Sequence, residues 1–467
     1  MKRLFFLITV IYVAGCTMGP DYERPPIDEP VAYRDSFPPS ESIANIAWWE
    51  LFGDTVLQSL IDTALVHNRN LRASMARIDE ARATLGIVRA DLFPRLNYAA
   101  DGVYEGTSAG DGSTSSSALI ALNASYVVDL WGRVRRSNEA ALAELLATEE
   151  AYRGVTITLV AEVANAYFLL RDLDNRLTIS EQTAEAWRQS LDVVRSRYEA
   201  GMVSEVDVNQ AEIQVYEADV SVQTFRRLRA QTENAISVLL GKPPMSIERG
   251  LDLVEQVLPP DVPAGLPSEL LARRPDIRES EHRLHAQTAR IGVAEAYKFP
   301  QFDLTGDLGA SFNSGTSGFF GLGAQIFGPL FNSGEFQRRV DVEVARTEQL
   351  INSFEQTILN AYREVDDALV AVRTYKSETE ARRRQLASAE NAAILSWVRY
   401  EGGMTSYLEV LDLQRSLFSS QLKVSETYQL QLTSVVQLYQ ALGGGWIAEQ
   451  DSMAVSGSSP PENDSER

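Results

Sequence analysis

Residues 301–312 alternate in polarity. Phe302, Leu304, Leu308, Ala310 and Phe312 fall on one side, and Gln301, Asp303, Thr305, Asp307 and Ser311 on the other. A period of two predicts a strand with one apolar and one polar face. Three further segments, about 95–106, 118–130 and 319–330, follow the same rule. Leu96, Tyr98 and Tyr104 oppose Asn97, Asp101 and Glu105 in the first; Ile120, Leu122, Ala124, Tyr126 and Val128 oppose Asn123, Ser125 and Asp129 in the second; Phe320, Leu322, Ala324 and Ile326 alternate with Gly321, Gly323 and Gln325 in the last. Turn-rich links over 107–117 and 313–318 join them as two hairpins. Each segment has the length of a tilted bilayer-spanning strand, about 9–11 residues. Carboxylates on the polar faces would be costly in a dry core and suit a water-filled lumen. The smallest membrane barrels have about 8 strands, so four cannot close one alone. Open edges are excluded from lipid, so a spanning role requires several chains, with about 8, 12 or 16 strands in all.

The hydrophobic period then changes. From Arg133 to Ala200 there is no proline and one glycine, Gly154, which predicts a helix on the order of 100 Å long. Its later part carries a seam at Leu170, Leu173, Leu177, Ser180, Ala184, Trp187, Leu191, Val194 and Tyr198, spaced three and four as in a coiled coil. A second such stretch covers about 334–400, with a weaker seam at Val372, Tyr375, Leu386 and Ala393. Shorter helices, about 206–240 and 408–442, return after glycine breaks. Two more, about 57–92 and 268–298, end at Phe93-Pro94 and Phe299-Pro300, where proline stops them.

The chain contains itself twice. Gly86, Ala90, Phe93 and Pro94 match Gly292, Ala296, Phe299 and Pro300; Arg197-Tyr198-Glu199-Ala200-Gly201-Met202 matches Arg399-Tyr400-Glu401-Gly402-Gly403-Met404; Leu240-Gly241 matches Leu442-Gly443, all at offsets of 202 to 206. The domain reading is therefore 1–15 signal peptide, 16–56 N-terminal segment, 57–250 first repeat, 251–446 second repeat, and 447–467 a polar tail expected to be disordered.

Composition narrows the function. The 467 residues carry a net charge of −21, which argues against nucleic acid, whose phosphates demand Lys and Arg. The single cysteine, Cys16, excludes an intramolecular disulfide and a cysteine-based zinc site. It follows Lys2-Arg3, the apolar run from Leu4 to Tyr12, and Val13-Ala14-Gly15. That pattern is a secretory signal, too short to span a bilayer. Small residues ending on cysteine resemble the bacterial lipobox. The resemblance implies acylation of Cys16, and Thr17 rather than aspartate after it implies the outer membrane. No other stretch reaches the length and polarity expected of a transmembrane helix. His67, His282 and His285 are the only histidines, and no P-loop, nucleophile elbow or redox pair is present. Neither an enzyme nor a bound metal or cofactor is expected.

Cys16, Gly19-Pro20-Asp21-Tyr22, Arg24-Pro25, Trp48-Trp49, both Phe-Pro hinges, both Arg-Tyr-Glu-x-Gly-Met turns and the ending Ala441-Leu442-Gly443-Gly444-Gly445-Trp446 resemble the lipoprotein branch of the TolC/OprM-type outer membrane factors. The resemblance implies an α+β membrane protein: a homotrimer with a 12-stranded barrel, four strands per chain, continued by a periplasmic helical barrel. It also implies a periplasmic membrane-fusion adaptor and an inner-membrane RND-type pump as partners. In that reading the tip turns Gly201, Ser204, Gly403 and Ser406 face the adaptor, with the glycines breaking the helices and the serines placed to cap the next ones. The gate comprises Asp207, Tyr400, Leu408, Glu409 and Asp412. Glu409 and Asp412 share a helix face. Repeated around an axis they would ring the pore with cation-selecting carboxylates, although acids in a first helical turn also satisfy the helix dipole. The family's closing hydrogen bond corresponds to Tyr400 and Asp207, while its closing arginine is Thr405 here. A small-molecule efflux conduit is the leading function; a protein-secretion channel and a non-channel lipoprotein scaffold remain alternatives.

Overall fold

The computed structural model describes residues 17–27, 30, 33, 48–106, 114–258, 267–313 and 315–444. The expected signal peptide, Cys16, Gly445-Trp446 and the tail lie outside them. Strands β1 (Arg95–Gly106), β2 (Thr114–Val128), β3 (Gln301–Phe312) and β4 (Thr316–Phe327) form one antiparallel sheet in that order. Tyr98 opposes Leu122, Leu122 opposes Leu308, and Leu308 opposes Phe320. This apolar row crosses all four strands and is exposed, Tyr98 by 84% and Phe320 by 82%. On the other face Asn123 Nδ2 donates to Asp307 Oδ1 at 2.5 Å. β1 and β4 are the two edges among the described residues.

The second strand of each hairpin starts and ends earlier than its alternation predicts. Backbone pairing sets these ends: Thr114 pairs with Gly106 and Thr316 with Phe312. The Ser- and Gly-rich residues that read as turns are thereby drawn into the ladder.

Among the described residues eight α-helices follow the repeat: α1 (Thr55–His67), α2 (Arg69–Ala90), α3 (Arg133–Glu199) and α4 (Glu205–Leu239), then α5 (Pro267–Arg273), α6 (Pro275–Ala296), α7 (Glu335–Glu401) and α8 (Tyr407–Ala441). α3 and α7 each run 67 residues, and α4 and α8 each 35. The helices expected over 57–92 and 268–298 are both broken, and at equivalent positions. Asn68 leaves the helical region, caps α2 by accepting from Leu71 N–H, and donates to Leu239 O at 2.8 Å. Arg274 precedes Pro275, which disfavours helical backbone before it, and donates to Ala441 O at 2.8 Å. Each break thus satisfies a terminal carbonyl of a returning helix.

The chain divides into two compact units that cut across the repeats. One combines the described part of the N-terminal segment up to residue 27 with Met75–Tyr152 and Asp276–Thr357; the other combines 48–74, Arg153–Pro275 and 358–444. In the second unit Trp48 stacks on Tyr439 and Phe52 packs on Phe168. α3 departs from the expectation that no further stretch has the length and polarity of a transmembrane helix. α3 contains a window long and apolar enough to cross a membrane, but more than half of it is buried. Val163, Ala164, Tyr167, Phe168 and Leu170 are fully buried, so apolarity in α3 serves helix packing.

Candidate functional site

The two turns of the long hairpins are built alike. Gly201 and Gly403 adopt φ of +72° and +71°, a conformation open to residues without a Cβ. Met202 N–H donates to Arg197 O and Gly201 N–H to Tyr198 O; Met404 N–H donates to Arg399 O and Gly403 N–H to Tyr400 O, all at 2.8 to 3.0 Å. These are Schellman closures, which pair the last carbonyls of α3 and α7. Met202, Val206, Met404 and Leu408 are exposed around the turns. Trp187, Val194, Val208, Tyr400, Tyr407 and Val410 form the core behind them.

The caps differ between the copies. Asp207 Oδ2 accepts from Ser204 N–H and from the Ser204 hydroxyl, each at 3.0 Å. Ser406 occupies the equivalent position before α8, but its side chain makes no cap hydrogen bond, contrary to the expected role. There the acid three residues on, Glu409, turns elsewhere. It accepts from Arg399 Nη1 at 3.1 Å and from the Thr405 hydroxyl.

Tyr400 is buried, and its hydroxyl has no hydrogen-bond partner among the described residues. The bridge to Asp207 implied by the family resemblance is not formed here; Asp207 accepts from Ser204 through Oδ2. Tyr400 is instead held by its ring. The Arg197 guanidinium lies 4.5 Å from the ring centroid, Arg197 Nη1 donates to Tyr400 O at 3.5 Å, and the rings of Trp397 and Tyr407 pack against it. Burial, with the nearby Tyr400 and Asp207, pushes the Tyr407 hydroxyl above its ordinary pKa. Glu409 and Asp412 also part company. Glu409 is charge-compensated by Arg399, whereas Asp412 is exposed. Thr405, where the family's closing arginine would stand, is the partner of Glu409.

Arg197 and Arg399 were not singled out as site residues from sequence. Their equivalent places in the duplicated Arg-Tyr-Glu motif were the available signal, yet one clasps Tyr400 and the other neutralises Glu409. Among the described residues no group of three or more His, Cys, Asp or Glu could hold a metal ion.

The profile of the outer membrane efflux protein family matches residues 60–242 and 266–444, one match per repeat. The chain is similar to the probable efflux pump outer membrane protein TtgC of Pseudomonas putida, 37% identical over 96% of each chain. It is 34% identical to the cation efflux system protein CusC of Escherichia coli, over 95% of this chain and 99% of that one. The crystal structure of the open state of the Neisseria gonorrhoeae MtrE outer membrane channel superposes with a TM-score of 0.85 at 32% identity, covering 92% of this chain and 98% of that one.

Proposed function

The chain belongs to the outer membrane efflux protein family, and on that premise we propose that it is the outer-membrane conduit of a tripartite efflux system. Three chains of four strands each, 12 in all, close one barrel in the outer membrane, and α-helices from the same chains continue it into the periplasm. The observation that carries this reading is the sheet itself. It has an exposed apolar row, a carboxylate-bearing opposite face, and two open edges. Lipid tolerates the apolar face but not the edges, and further copies of the chain remove them.

The conduit is passive, with no catalytic step, cofactor or nucleic acid. It receives its cargo from an inner-membrane RND-type pump through a periplasmic adaptor, which meets the turns at Gly201, Ser204, Gly403 and Ser406. The homotrimer is anchored by acylated Cys16. Its relatives include a toluene efflux protein and a cation efflux protein, so the same architecture serves unlike cargoes, and small toxic compounds are the cargo class assigned here. The periplasmic aperture is ringed by Asp412, bordered by Leu408. The test is conductance of the full-length protein in planar bilayers, paired with deletion of its gene. Discrete channel openings and sensitisation to small toxic compounds are expected. No conductance would leave only a scaffold, and loss of a secreted protein without sensitisation would favour a secretion channel.

A further inference from the structure

The described residues that follow Cys16 are fastened to the protein at several points. Thr17 lies so close to Gly132 that a Cβ there would sit 2.8 Å from Thr17 Cγ2. Met18 N–H donates to Trp131 O at 3.1 Å. The carbonyls of Met18 and Gly19 accept from Arg136, whose side chain is only 5% exposed and also pairs with Asp21 and Glu139 at 2.6 and 2.8 Å. Gly19 has φ +84°, and a Cβ on it would lie 2.4 Å from Gly292 Cα, so two backbones touch. Tyr22 stacks on His285, and both Tyr22 and Arg24 donate to Glu281.

The place of attachment matters. Trp131 and Gly132 lie between β2 and α3. Trp131 stacks on Phe299 at 4.6 Å and donates to Pro300 O at 2.7 Å, in the link between α6 and β3. An aromatic pair where strands meet helices is the composition of a membrane–water interface. We propose that residues 17–24 are a fixed strap that sets where a lipid on Cys16 enters the bilayer, holding it at these strand–helix junctions. This rests on the acylation reading of Cys16. Lipidation by itself gives affinity for the bilayer and leaves the point of entry to the polypeptide that carries it. The described strap begins at Thr17, the residue that follows Cys16 in the sequence, and Arg136 is the strap's positioning residue.

Two variants of the full-length chain test this. The first inserts six Gly/Ser residues between Cys16 and Thr17, adding a span on the order of 13 Å without touching the strap. The second is Gly292→Ala. Alanine is the better helix former, so α6 is retained, but its Cβ would meet Met18 O at 2.4 Å and displace the strap. The readout is an environment-sensitive dye on Phe331→Cys, an exposed position just after β4, in a chain whose only other cysteine is Cys16. Both variants should red-shift the dye in bilayers while keeping the parent's circular dichroism. Gly292→Ala should also open the Glu23–Arg24 bond to a glutamyl endopeptidase. Mass spectrometry of the N-terminal peptide separates the two ideas. An unacylated Cys16 overturns both. An acylated Cys16 with unshifted emission in the two variants overturns the strap alone.

Discussion

Replacing Asp54 by alanine removes one carboxylate that serves three parts of the chain. Asp54 is 1% exposed. Its Oδ1 accepts from Val56 and Leu57 N–H at the start of α1, and its Oδ2 from the Tyr167 hydroxyl of α3 at 2.7 Å, from Leu251 N–H at 3.0 Å and from Gln256 Nε2 at 2.7 Å. Gly250 belongs to the same arrangement, since a Cβ there would lie 2.1 Å from Asp54 Oδ1. Loss of the helix cap costs about 1 kcal/mol. Gln256 keeps a second partner in Leu251 O, but Leu251 N–H and the Tyr167 O–H are left without an acceptor. At about 1–3 kcal/mol for each buried orphan, the total is about 4 kcal/mol. Asp54→Asn keeps the cap yet turns an amide N–H₂ toward these donors, for about 2 kcal/mol. With an unfolding entropy of about 2.1 cal/mol/K per residue, a chain of 467 residues loses about 1 °C per kcal/mol, so thermal unfolding in detergent should fall by about 4 °C for alanine and about half that for asparagine. Melting of both variants within a degree or so of the parent would refute the hub.

Three further outcomes follow from the turns and the helix core. Asp412→Asn should shift the reversal potential in a salt gradient toward zero more than Glu409→Gln does, because Glu409 is already paired with Arg399; equal shifts would refute the distinction. Gly403→Val should cost about 1–2 kcal/mol through its positive φ alone, since nothing lies within 4 Å of a Cβ there, and an unchanged unfolding midpoint would contradict this. Asp172 is buried and bonded to Ser425 and Arg176, and burial raises its carboxyl pKa above the ordinary range. A raised pKa makes the native state hold the proton more tightly than the unfolded chain. This group's contribution is therefore fullest below the ordinary carboxyl pKa and is lost as pH rises through the raised native value. Asp172→Asn should remove that part of the decline in urea midpoint with rising pH, and parallel curves for variant and parent would sink the assignment.

Sequence alone determined the parts whose signal is local. Period-two alternation from Gln301 to Phe312 marked β3 to its ends, because each side chain in a strand must choose a face. The absence of proline over Arg133–Glu199 and Glu335–Glu401 marked the long helices, and Gly201 and Gly403 marked their turns, because a positive φ is a property of one residue. The duplication exposed all of these twice. Tertiary structure decided whatever depends on which partner a group meets. Asp207 and Glu409 sit at the same place in their copies, yet one caps its own helix and the other joins Arg399 and Thr405. Tyr400 is clasped by an arginine from 203 residues earlier, and Asn68 and Arg274 break their helices to meet carbonyls at the far ends of other helices. A hydrogen bond is satisfied by proximity in space, and proximity over such separations exists only once the hairpins have packed.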